Sequence, residues 1–333
     1  MSVLSVCLSP GLQRSVCIDA LALGEVNRLQ RVEVDVAGKG VNVCRALQRL
    51  GVSARCLAQG GDNAAEVLAL AVAERLNLRL IPSCGRMRTC TSIIELAVDG
   101  GRRVTELVEP TAPVDAACVA ALGEAVQTEL CAAEALVIAG SMAPGFPTGY
   151  QAQLARYAKA AGVPVAVDLQ GEPLLQVVAE APVLVKINLS EFAATFLDQR
   201  FAGGEQSGVL AAPVLPAELI DAVGAVSMCH VPTFVLTRGP SSILLARAGE
   251  VRMCDVTPLP TNETLSTIGC GDTFLAALLA KMLAEGEWQN EPLSLDAVEA
   301  AIDFAVACAQ ANARTLRPGV MDDGFPSLTD KIR

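Results

Sequence analysis

The segment Leu265-Ser-Thr-Ile-Gly-Cys-Gly-Asp-Thr-Phe274 places a glycine-flanked turn and a carboxylate directly before an apolar run with helical spacing. Gly269 and Gly271 permit backbone conformations in which successive amide N–H groups face one point, where the positive end of a helix also favours an anion. Asp272 then lies where a general base would be needed. Two interpretations stay open: an anion site with its base, or a plain turn whose aspartate favours the helix N-terminus.

Composition indicates a globular protein with a large core and excludes several classes of function. Of the 333 residues, 52% are hydrophobic, which is enough to bury one large α/β domain or a core with a smaller appendage. The formal net charge of −11 argues against a general nucleic-acid or anionic-membrane binder. Any anionic ligand must therefore meet a local cluster of Lys and Arg.

The twelve cysteines indicate a reduced, cytoplasmic protein rather than a disulfide or metal framework. They are scattered from Cys7 to Cys308 without a CxxC pair, and His230 is the only histidine, so no Cys/His metal constellation is available. The N-terminus lacks the basic region of a secretory signal. The uncharged run 135–155 is interrupted by prolines and glycines, so a strand, a loop and a helix start explain it better than a membrane span.

Short apolar runs alternate with amphipathic stretches along much of the chain. The clearest series is 135–139, 149–162, 163–168, 172–180 and 183–187, in which strand-like and helix-like segments follow one another. This alternation is typical of βαβ units and predicts a parallel sheet with helices on both faces. The predicted fold class is therefore α/β.

Two stretches, 14–36 and 88–108, break this alternation, because apolar and polar residues alternate there without a helix between them. The pattern predicts antiparallel strands in a small separate sheet, which could cover a pocket. Within the second stretch, Arg102 and Arg103 follow a glycine pair and are predicted to form an exposed hairpin turn. The segment 198–216 is predicted to be a loop or an insertion.

A second glycine turn, Val36-Ala-Gly-Lys-Gly-Val-Asn-Val43, also precedes a predicted helix. Close backbone approach at Gly38 and Gly40 suits a polyhydroxylated ligand. Asn42 can donate to and accept from hydroxyls, and Lys39 can meet a phosphate. The competing interpretation is a tight turn capped by Asn42. Neither glycine segment is a P-loop or a dinucleotide fingerprint, since the chain contains neither GxxxxGK[ST] nor GxGxxG.

Taken together and in this order, the motifs resemble those of the ribokinase-like, phosphofructokinase B family of sugar kinases over nearly the whole chain. The matching segments are Ala-Gly-Lys-Gly-Val-Asn at 37–42, Arg88, Thr105-Glu-Leu-Val-Glu-Pro110, Gly140-Ser-Met-Ala-Pro-Gly145, Lys186-Ile-Asn-Leu-Ser-Glu191, Thr237-Arg-Gly239 and Ile268-Gly-Cys-Gly-Asp272. The resemblance implies a Rossmann-type α/β core, with a mostly parallel sheet flanked by helices, and a small β-sheet lid with strands within 14–36 and 88–108. It also implies a single kinase domain over residues 1–333 and a homodimer formed through the lid.

Within that family the chain is most similar to the branch that acts on phosphorylated ketohexoses, including 1-phosphofructokinases and tagatose 6-phosphate kinases. The similarity rests on Gly24-Glu-Val-Asn-Arg28, on the lysine between Gly38 and Gly40, and on the Gly-Ser-x-x-Pro-Gly pattern at 140–145. It implies a sugar phosphate as acceptor, with fructose 1-phosphate first, then tagatose 6-phosphate and fructose 6-phosphate. It also implies ATP and Mg²⁺ as cofactors, with a monovalent cation as an option.

The resemblance further implies a role for each matching residue. Asp272 would take the proton from the acceptor hydroxyl. Three backbone amides would hold the charge that develops on the phosphoryl group: those of Gly269, Cys270 and Gly271. Asn188 and Glu191 would hold magnesium largely through waters. The nucleotide phosphates would lie against Lys186, Asn188, Glu191, Thr237 and Gly239. The sugar side would be formed by Gln13, Arg28, Gly38, Lys39, Gly40, Asn42, Arg88 and Ser141.

Structural alternatives stay open for several of these residues. Asn188 could simply cap a helix that follows a strand, and Glu191 could be a solvated carboxylate in the first turn of that helix. Arg28 and Arg88 could be surface residues without a specific contact. The guanidinium of Arg88 is nevertheless well suited to bind a phosphate through two parallel hydrogen bonds.

The N-terminal segment departs from the family pattern. Where the family has Asn-Pro-Ala-Leu-Asp, this chain has Ser9-Pro-Gly-Leu-Gln13, so the carboxylate expected to bind sugar hydroxyls is replaced by a neutral amide. Gln13 can still bind a hydroxyl, or can tolerate a phosphate that an aspartate would repel. Cys270, a thiol beside the reacting group, predicts sensitivity to oxidation. Two alternative functions stay open: a catalytically weak sugar- or nucleotide-binding protein, and a kinase of a non-phosphorylated sugar.

Overall fold

The computed structural model describes residues 2–98, 101–197, 201, 210, 212, 214–289, 293–326 and 328. The described strands are β1 Ser2–Cys7, β2 Gly11–Ile18, β3 Arg31–Ala37, β4 Ser53–Gly60, β5 Leu78–Pro82, β6 Arg88–Val98, β7 Gly101–Val108, β8 Ala135–Ala139, β9 Val165–Asp168, β10 Leu184–Asn188, β11 Thr233–Thr237, β12 Ile243–Arg247 and β13 Glu250–Cys254. The described helices are α1 Lys39–Arg49, α2 Ala64–Ala73, α3 Ala116–Leu130, α4 Tyr150–Ala160, α5 Glu172–Val178, α6 Leu189–Phe196, α7 Ala217–Cys229, α8 Cys270–Glu285 and α9 Leu295–Ala313. None of these described helices is both long and apolar enough to cross a membrane.

The larger of the two described sheets has the strand order β13-β12-β11-β10-β9-β8-β1-β4-β5. All strands from β11 to β5 are parallel, while β12 and β13 are antiparallel additions at one edge. The predicted α/β class and the mostly parallel sheet are therefore confirmed. The helix predicted at 149–162 is observed as Tyr150–Ala160, and the strand predicted at 135–139 has those bounds.

Strand β8 shows how the large sheet divides the core into two layers. Ala135, Val137 and Ala139 belong to the apolar cluster that also contains residues of α1, α8 and α9. Leu136 and Ile138 belong to the cluster formed with α3 to α7. Because alternate residues of a strand point to opposite faces, a strand covered by helices on both faces needs the continuous apolar run that the sequence provides.

The smaller sheet has the order β3-β2-β6-β7 and confirms that the stretches at 14–36 and 88–108 form a separate unit. Strands β2 and β3 are antiparallel, as are β6 and β7, but β2 and β6 pair in parallel. The prediction of a wholly antiparallel sheet was wrong at this central pair. The reason is that β2 follows β1 and β6 follows β5, and these two strands of the large sheet already run in the same direction.

Arg102 and Arg103 lie within β7 and not in a hairpin turn, which corrects the prediction. Arg103 forms an ion pair with Glu95 on β6, with its Nε 2.5 Å from Oε2. Arg102 donates a hydrogen bond to the carbonyl of Thr264. Residues 99 and 100 lie outside the described residues, as does most of the segment 198–216 that was predicted to be a loop.

The carboxyl ends of the parallel strands bring the predicted site residues to one edge of the large sheet. Asp168, Asn188 and Thr237 are the last residues of β9, β10 and β11. The connections from β1 to β2 and from β5 to β6 leave from the same edge, so the small sheet begins beside it. Ligands of open α/β sheets bind at this edge.

Candidate active site

The glycine turn Gly269-Cys-Gly271 begins helix α8. Gly269 is the N-terminal cap and has a φ of +82°, and a Cβ atom at this position would lie 2.7 Å from the Cα of Pro318. Glycine is therefore required here for both conformation and space. The amide of Gly271 has no backbone partner among the described residues, whereas the amide of Cys270 donates to the carbonyl of Thr267 at 3.3 Å. Of these two amides, that of Gly271 is the freer to bind an anion.

Asp272 lies in the first turn of α8, and its side chain is almost fully buried. The Nδ2 of Asn42 donates a hydrogen bond to its Oδ2 at 2.7 Å. Burial raises the pKa of Asp272 to about 6, even though Lys39 and the bond from Asn42 act in the opposite direction. A carboxylate with a pKa in this range is suited to act as a general base near neutral pH.

Asp168 binds two lysines beside this carboxylate. Its Oδ1 lies 2.6 Å from the Nζ of Lys39, and its Oδ2 lies 3.0 Å from the Nζ of Lys186. Burial opposes the negative charge of Asp168, but the two lysines outweigh it and hold its pKa below the ordinary value. A Cβ atom on Gly271 would lie 2.7 Å from the Nζ of Lys186. This ammonium group therefore lies directly against the turn of residues 267–271, the candidate catalytic turn.

Asp168 is the functional candidate that the sequence interpretation missed. The available signal was an acidic residue that ends the apolar run Val165-Ala-Val, because such a residue must lie at the carboxyl edge of a parallel sheet. Its significance depends on Lys39 and Lys186, which approach it from other parts of the chain.

Cys270 does not have the reactive thiol that its position suggested. Burial raises its pKa to about 12, and the neighbouring Asp272 contributes in the same direction. The thiolate is the form that oxidants attack. With a pKa this high, little thiolate is present at neutral pH. The structure therefore argues against the predicted sensitivity to oxidation.

Asn188 and Glu191 form a reciprocal cap at the start of α6. The Oδ1 of Asn188 accepts a hydrogen bond from the amide of Glu191 at 2.7 Å, and Oε2 of Glu191 accepts one from the amide of Asn188 at 3.1 Å. The structural alternative for Asn188 is thus confirmed. The cap also fixes the carboxylate of Glu191, whose second oxygen lies 3.8 Å from the Nζ of Lys39.

The donor set at this edge fits a magnesium ion that keeps most of its water. The described residues contain no cluster of three or more His, Cys, Asp or Glu side chains that could hold a metal ion alone. The Oε1 of Glu191 and the side-chain Oδ1 of Asn188 are hard oxygen ligands of the kind that Mg²⁺ prefers. Magnesium held by one or two protein groups, waters and nucleotide phosphates needs no preformed cage.

Thr237 and Gly239 lie at the end of β11, next to the cap. Thr237 is paired in register with Asn188, and Gly239 has a φ of +55°. Arg238 between them points into the protein, where its guanidinium donates to the Oγ of Ser242 at 2.8 Å. The two predicted nucleotide residues are therefore adjacent to Asn188, whereas Arg238 has a structural role.

The second glycine turn is shaped by packing against β1. Gly38 has a φ of +127°, and a Cβ atom there would collide with the Sγ of Cys7. A Cβ atom on Gly40 would lie 2.5 Å from the carbonyl oxygen of Val6. These glycines are therefore already required by the fold, whatever ligand they approach.

The amide of Asn42 is engaged at both ends. While its Nδ2 binds Asp272, its Oδ1 accepts a hydrogen bond from the Nη1 of Arg45 at 3.1 Å. The structure thus gives Asn42 a role in holding Asp272 and leaves fewer groups for a ligand hydroxyl than the sequence suggested. Arg45, which is buried on α1, was not recognised from the sequence.

The remaining predicted residues are distributed unevenly around the site. Gln13 is buried in the small sheet, where its Nε2 donates to the Oγ of Ser92 at 2.7 Å. Arg88 begins β6 and is half-buried, and Ser141 is exposed just after β8. Arg28 is exposed in the loop between β2 and β3 and forms no hydrogen bond or ion pair within the described part of the chain. The structure does not bring it to the other predicted residues.

Comparisons with known proteins identify the family and the fold of this chain. A sequence model described as pfkB family carbohydrate kinase matches residues 14–321. The 1-phosphofructokinase of Rhodobacter capsulatus is 30% identical over 288 residues, which cover 84% of this chain and 83% of that protein. The possible 1-phosphofructokinase of Thermotoga maritima has a similar structure, with a TM-score of 0.76, 20% identity, and coverage of 96% of this chain and 94% of that one. The tetrameric inhibited form of phosphofructokinase-2 from Escherichia coli has a TM-score of 0.74, 23% identity, and coverage of 93% of each chain.

Proposed function

Because the chain belongs to the pfkB family of carbohydrate kinases and is an ATP-dependent kinase, we propose that its acceptor is a phosphorylated ketohexose, with fructose 1-phosphate first. The observation that carries the phosphoryl-transfer chemistry is Asp272, buried at the start of α8 between a hydrogen bond from Asn42 and the charge of Lys39. The relative from Rhodobacter capsulatus, a 1-phosphofructokinase, supports this choice of acceptor.

We assign the transfer step to groups around Asp272. Its carboxylate accepts the proton of the acceptor hydroxyl as the oxygen attacks the γ-phosphorus of ATP, and the bond from that phosphorus to the bridging oxygen breaks to release ADP. The amide of Gly271 and the positive end of α8 face the phosphoryl group, and Lys186 and Lys39 offset the charge that develops on it. Magnesium, held by Asn188 and Glu191 with waters, would neutralise the nucleotide phosphates. A monovalent cation stays a prediction.

The acceptor is recognised by the small sheet and the second glycine turn in this proposal. Arg88 is the candidate clamp for the substrate phosphate, because a guanidinium binds phosphate through two hydrogen bonds. Gln13, which is neutral, adds no negative charge that would repel that phosphate. Lys39 can serve both acceptor binding and phosphoryl transfer, since its ammonium group binds Asp168 and is partly exposed.

The choice of acceptor is tested by ADP release with fructose 1-phosphate, fructose 6-phosphate, tagatose 6-phosphate, fructose and ribose. We expect the highest kcat/KM with fructose 1-phosphate and little release with the two free sugars. Release with a free sugar alone would overturn the proposal in favour of a kinase of non-phosphorylated sugars. Thermal stabilisation by sugar phosphates without ADP release would favour a binding protein.

The pKa of Asp272 predicts an acid limb in the pH profile. A protonated carboxyl cannot accept the hydroxyl proton, and the pKa of Asp272 is raised to about 6. We therefore expect kcat/KM to be constant above pH 7 and to fall about tenfold per unit well below pH 6. Because the hydrogen bond from Asn42 lowers this pKa, Asn42→Ala should move the inflection to higher pH. A profile that stays flat from pH 8 to pH 5 would contradict the assignment of the base.

We further propose that the chain forms a homodimer through the outer face of the small sheet. Val32, Val34 and Leu107 lie on this face and are between 40% and 55% exposed. The phosphofructokinase-2 of Escherichia coli, which has a similar fold, is tetrameric in its inhibited form. Apolar side chains grouped on one sheet face are typical of a protein interface.

The lid dimer is tested with Leu107→Glu, and Leu175→Glu on α5 is the matched control because it is 40% exposed elsewhere. The first substitution should raise the dimer dissociation constant by at least about tenfold, since burying an unpaired carboxylate costs more than about 1.4 kcal/mol. The control should leave it unchanged. Sedimentation equilibrium measures both. Equal dissociation constants for the two variants would refute an interface at this face.

A further inference from the structure

A cleft of about 410 Å³ opens between the ends of α1 and α2, strand β3 and the residues that follow α9. Its lining includes Asp35, Glu74, Arg49, Arg75 and Arg317. None of the residues assigned to phosphoryl transfer lines it. The volume is sufficient for a small metabolite.

The cleft has an excess of positive charge, although the chain as a whole is acidic. Glu74 binds the Nε of Arg45 at 2.9 Å and the Nη2 of Arg317 at 3.1 Å. Arg49 and Arg75 have no carboxylate within ion-pair distance in the described part of the chain, although Asp323 lies close enough to influence Arg49. Three lining guanidinium groups thus meet two lining carboxylates.

Asp35, the second lining carboxylate, is also paired. Its Oδ1 lies 2.5 Å from the Nε of Arg317, whereas its Oδ2 is buried and has no partner among the described residues. Burial raises the pKa of Asp35, in opposition to the effect of Arg317, so this carboxyl takes a proton more readily than usual.

Arg317 connects the cleft to the catalytic turn through the two residues that follow it. Pro318 packs against Gly269, and a Cβ atom on Gly319 would lie 2.6 Å from the carbonyl oxygen of Asn42. Any movement of Arg317 toward a ligand must therefore be transmitted to the residues that hold Asp272 and the start of α8.

A second connection runs through Arg45. Its Nη2 and Nε bind Glu74 at the back of the cleft, both at 2.9 Å. Its Nη1 donates to the Oδ1 of Asn42 at 3.1 Å and to the carbonyl of Pro318 at 2.8 Å. Asn42 and Arg49 lie on one face of α1, about 10 Å apart along the helix axis.

We propose that this cleft binds a small phosphorylated anion and that the bound anion makes the backbone of the catalytic turn more ordered. The guanidinium groups of Arg49, Arg75 and Arg317 supply the forked donors that match phosphate oxygens. The lining thus carries an excess of one positive charge, which favours an anion. This site goes beyond the proposed function and does not depend on the identity of the acceptor.

The binding is tested by calorimetric titration of the magnesium-free protein with inorganic pyrophosphate at fixed ionic strength. We expect two binding events in the unchanged protein, one at the catalytic turn and one in the cleft. Arg49→Gln combined with Arg75→Gln should remove one event or weaken it at least tenfold. The matched control combines Arg86→Gln with Arg156→Gln, two exposed arginines that lie elsewhere, and should keep both events.

The connection is tested by hydrogen exchange in a Lys186→Gln background, in which pyrophosphate binding at the catalytic turn is weakened. Pyrophosphate should slow exchange of the amides at 267–271 and 315–320, and addition of Arg49→Gln and Arg75→Gln should abolish this slowing.

In the titration, equal stoichiometry and affinity in the cleft variant and the control would overturn the site. Slowing that survives the cleft substitutions would overturn the connection. Neither readout requires phosphoryl transfer, so a wrong acceptor assignment would leave both results interpretable.

Discussion

Asp272→Asn is expected to reduce kcat by about 10²–10⁴-fold while ATP binding stays close to normal. The amide oxygen of asparagine can still accept the hydrogen bond that Asn42 donates to Oδ2, so the local geometry should persist. What is lost is the ability to accept a proton from the acceptor hydroxyl. Single-turnover ADP formation measures the chemical step, and equilibrium binding of ATP is the reference.

The matched control for this variant is Asp296→Asn, because Asp296 is also an acidic residue in the first turn of a helix. If Asp272 only favoured the start of α8, both substitutions would cost about 0.3–1 kcal/mol of stability and neither would impair turnover. The base assignment instead predicts a large loss of turnover for Asp272→Asn alone. Near-normal turnover in that variant would refute it.

Asp168→Asn should produce the second large effect, on stability and on activity together. The substitution removes the charge that binds Lys39 at 2.6 Å and Lys186 at 3.0 Å, and Asp168 is only 1% exposed. Removal of one partner from a buried ion pair costs about 3–5 kcal/mol. The released Lys186 should also lose its position against Gly271, so kcat should fall by more than about tenfold at temperatures where the variant is folded. Urea unfolding and ADP release measure the two effects.

Glu129→Gln is the control for this second variant, since Glu129 also binds two cations. It accepts from Arg55 at 2.7 Å and from Arg79 at 3.3 Å, but these arginines are about half exposed. A surface arrangement of this kind contributes about 0–1 kcal/mol. A loss of stability in Asp168→Asn no larger than in the control would show that the buried position of Asp168 has no special importance.

The local features of the fold were predictable from the sequence because they depend on residues close together in the chain. Glycines before an apolar run predicted the starts of α1 and α8, and continuous apolar runs predicted strands such as β8. Asp272 could be singled out because its turn and its helix lie in one segment. The same kind of evidence predicted the small sheet as a unit.

Features that depend on distant residues could not be predicted in this way. The parallel pairing of β2 with β6 follows from the directions of β1 and β5, which no local pattern contains. The importance of Asp168, at the end of β9, depends on Lys39, which lies at the start of α1. The inward orientation of Arg45 depends on Glu74, which lies at the C-terminal end of α2. In each case the residue type is a common one. Its importance becomes visible only when its contact with a residue distant in the chain is known.

The packing of Pro318 against Gly269 has a consequence for the order in which the protein becomes active during synthesis. Ribosomes release the chain from its N-terminus, and domains fold as their segments emerge. Both sheets and α8 are complete before Pro318 and Gly319 have been made. A nascent chain can therefore contain both sheets and α8 while it still lacks the residues that pack against the catalytic turn, Pro318 and Gly319. Phosphoryl transfer should begin only after Pro318 and Gly319 have emerged from the ribosome, and a chain that stops after α9 should be inactive.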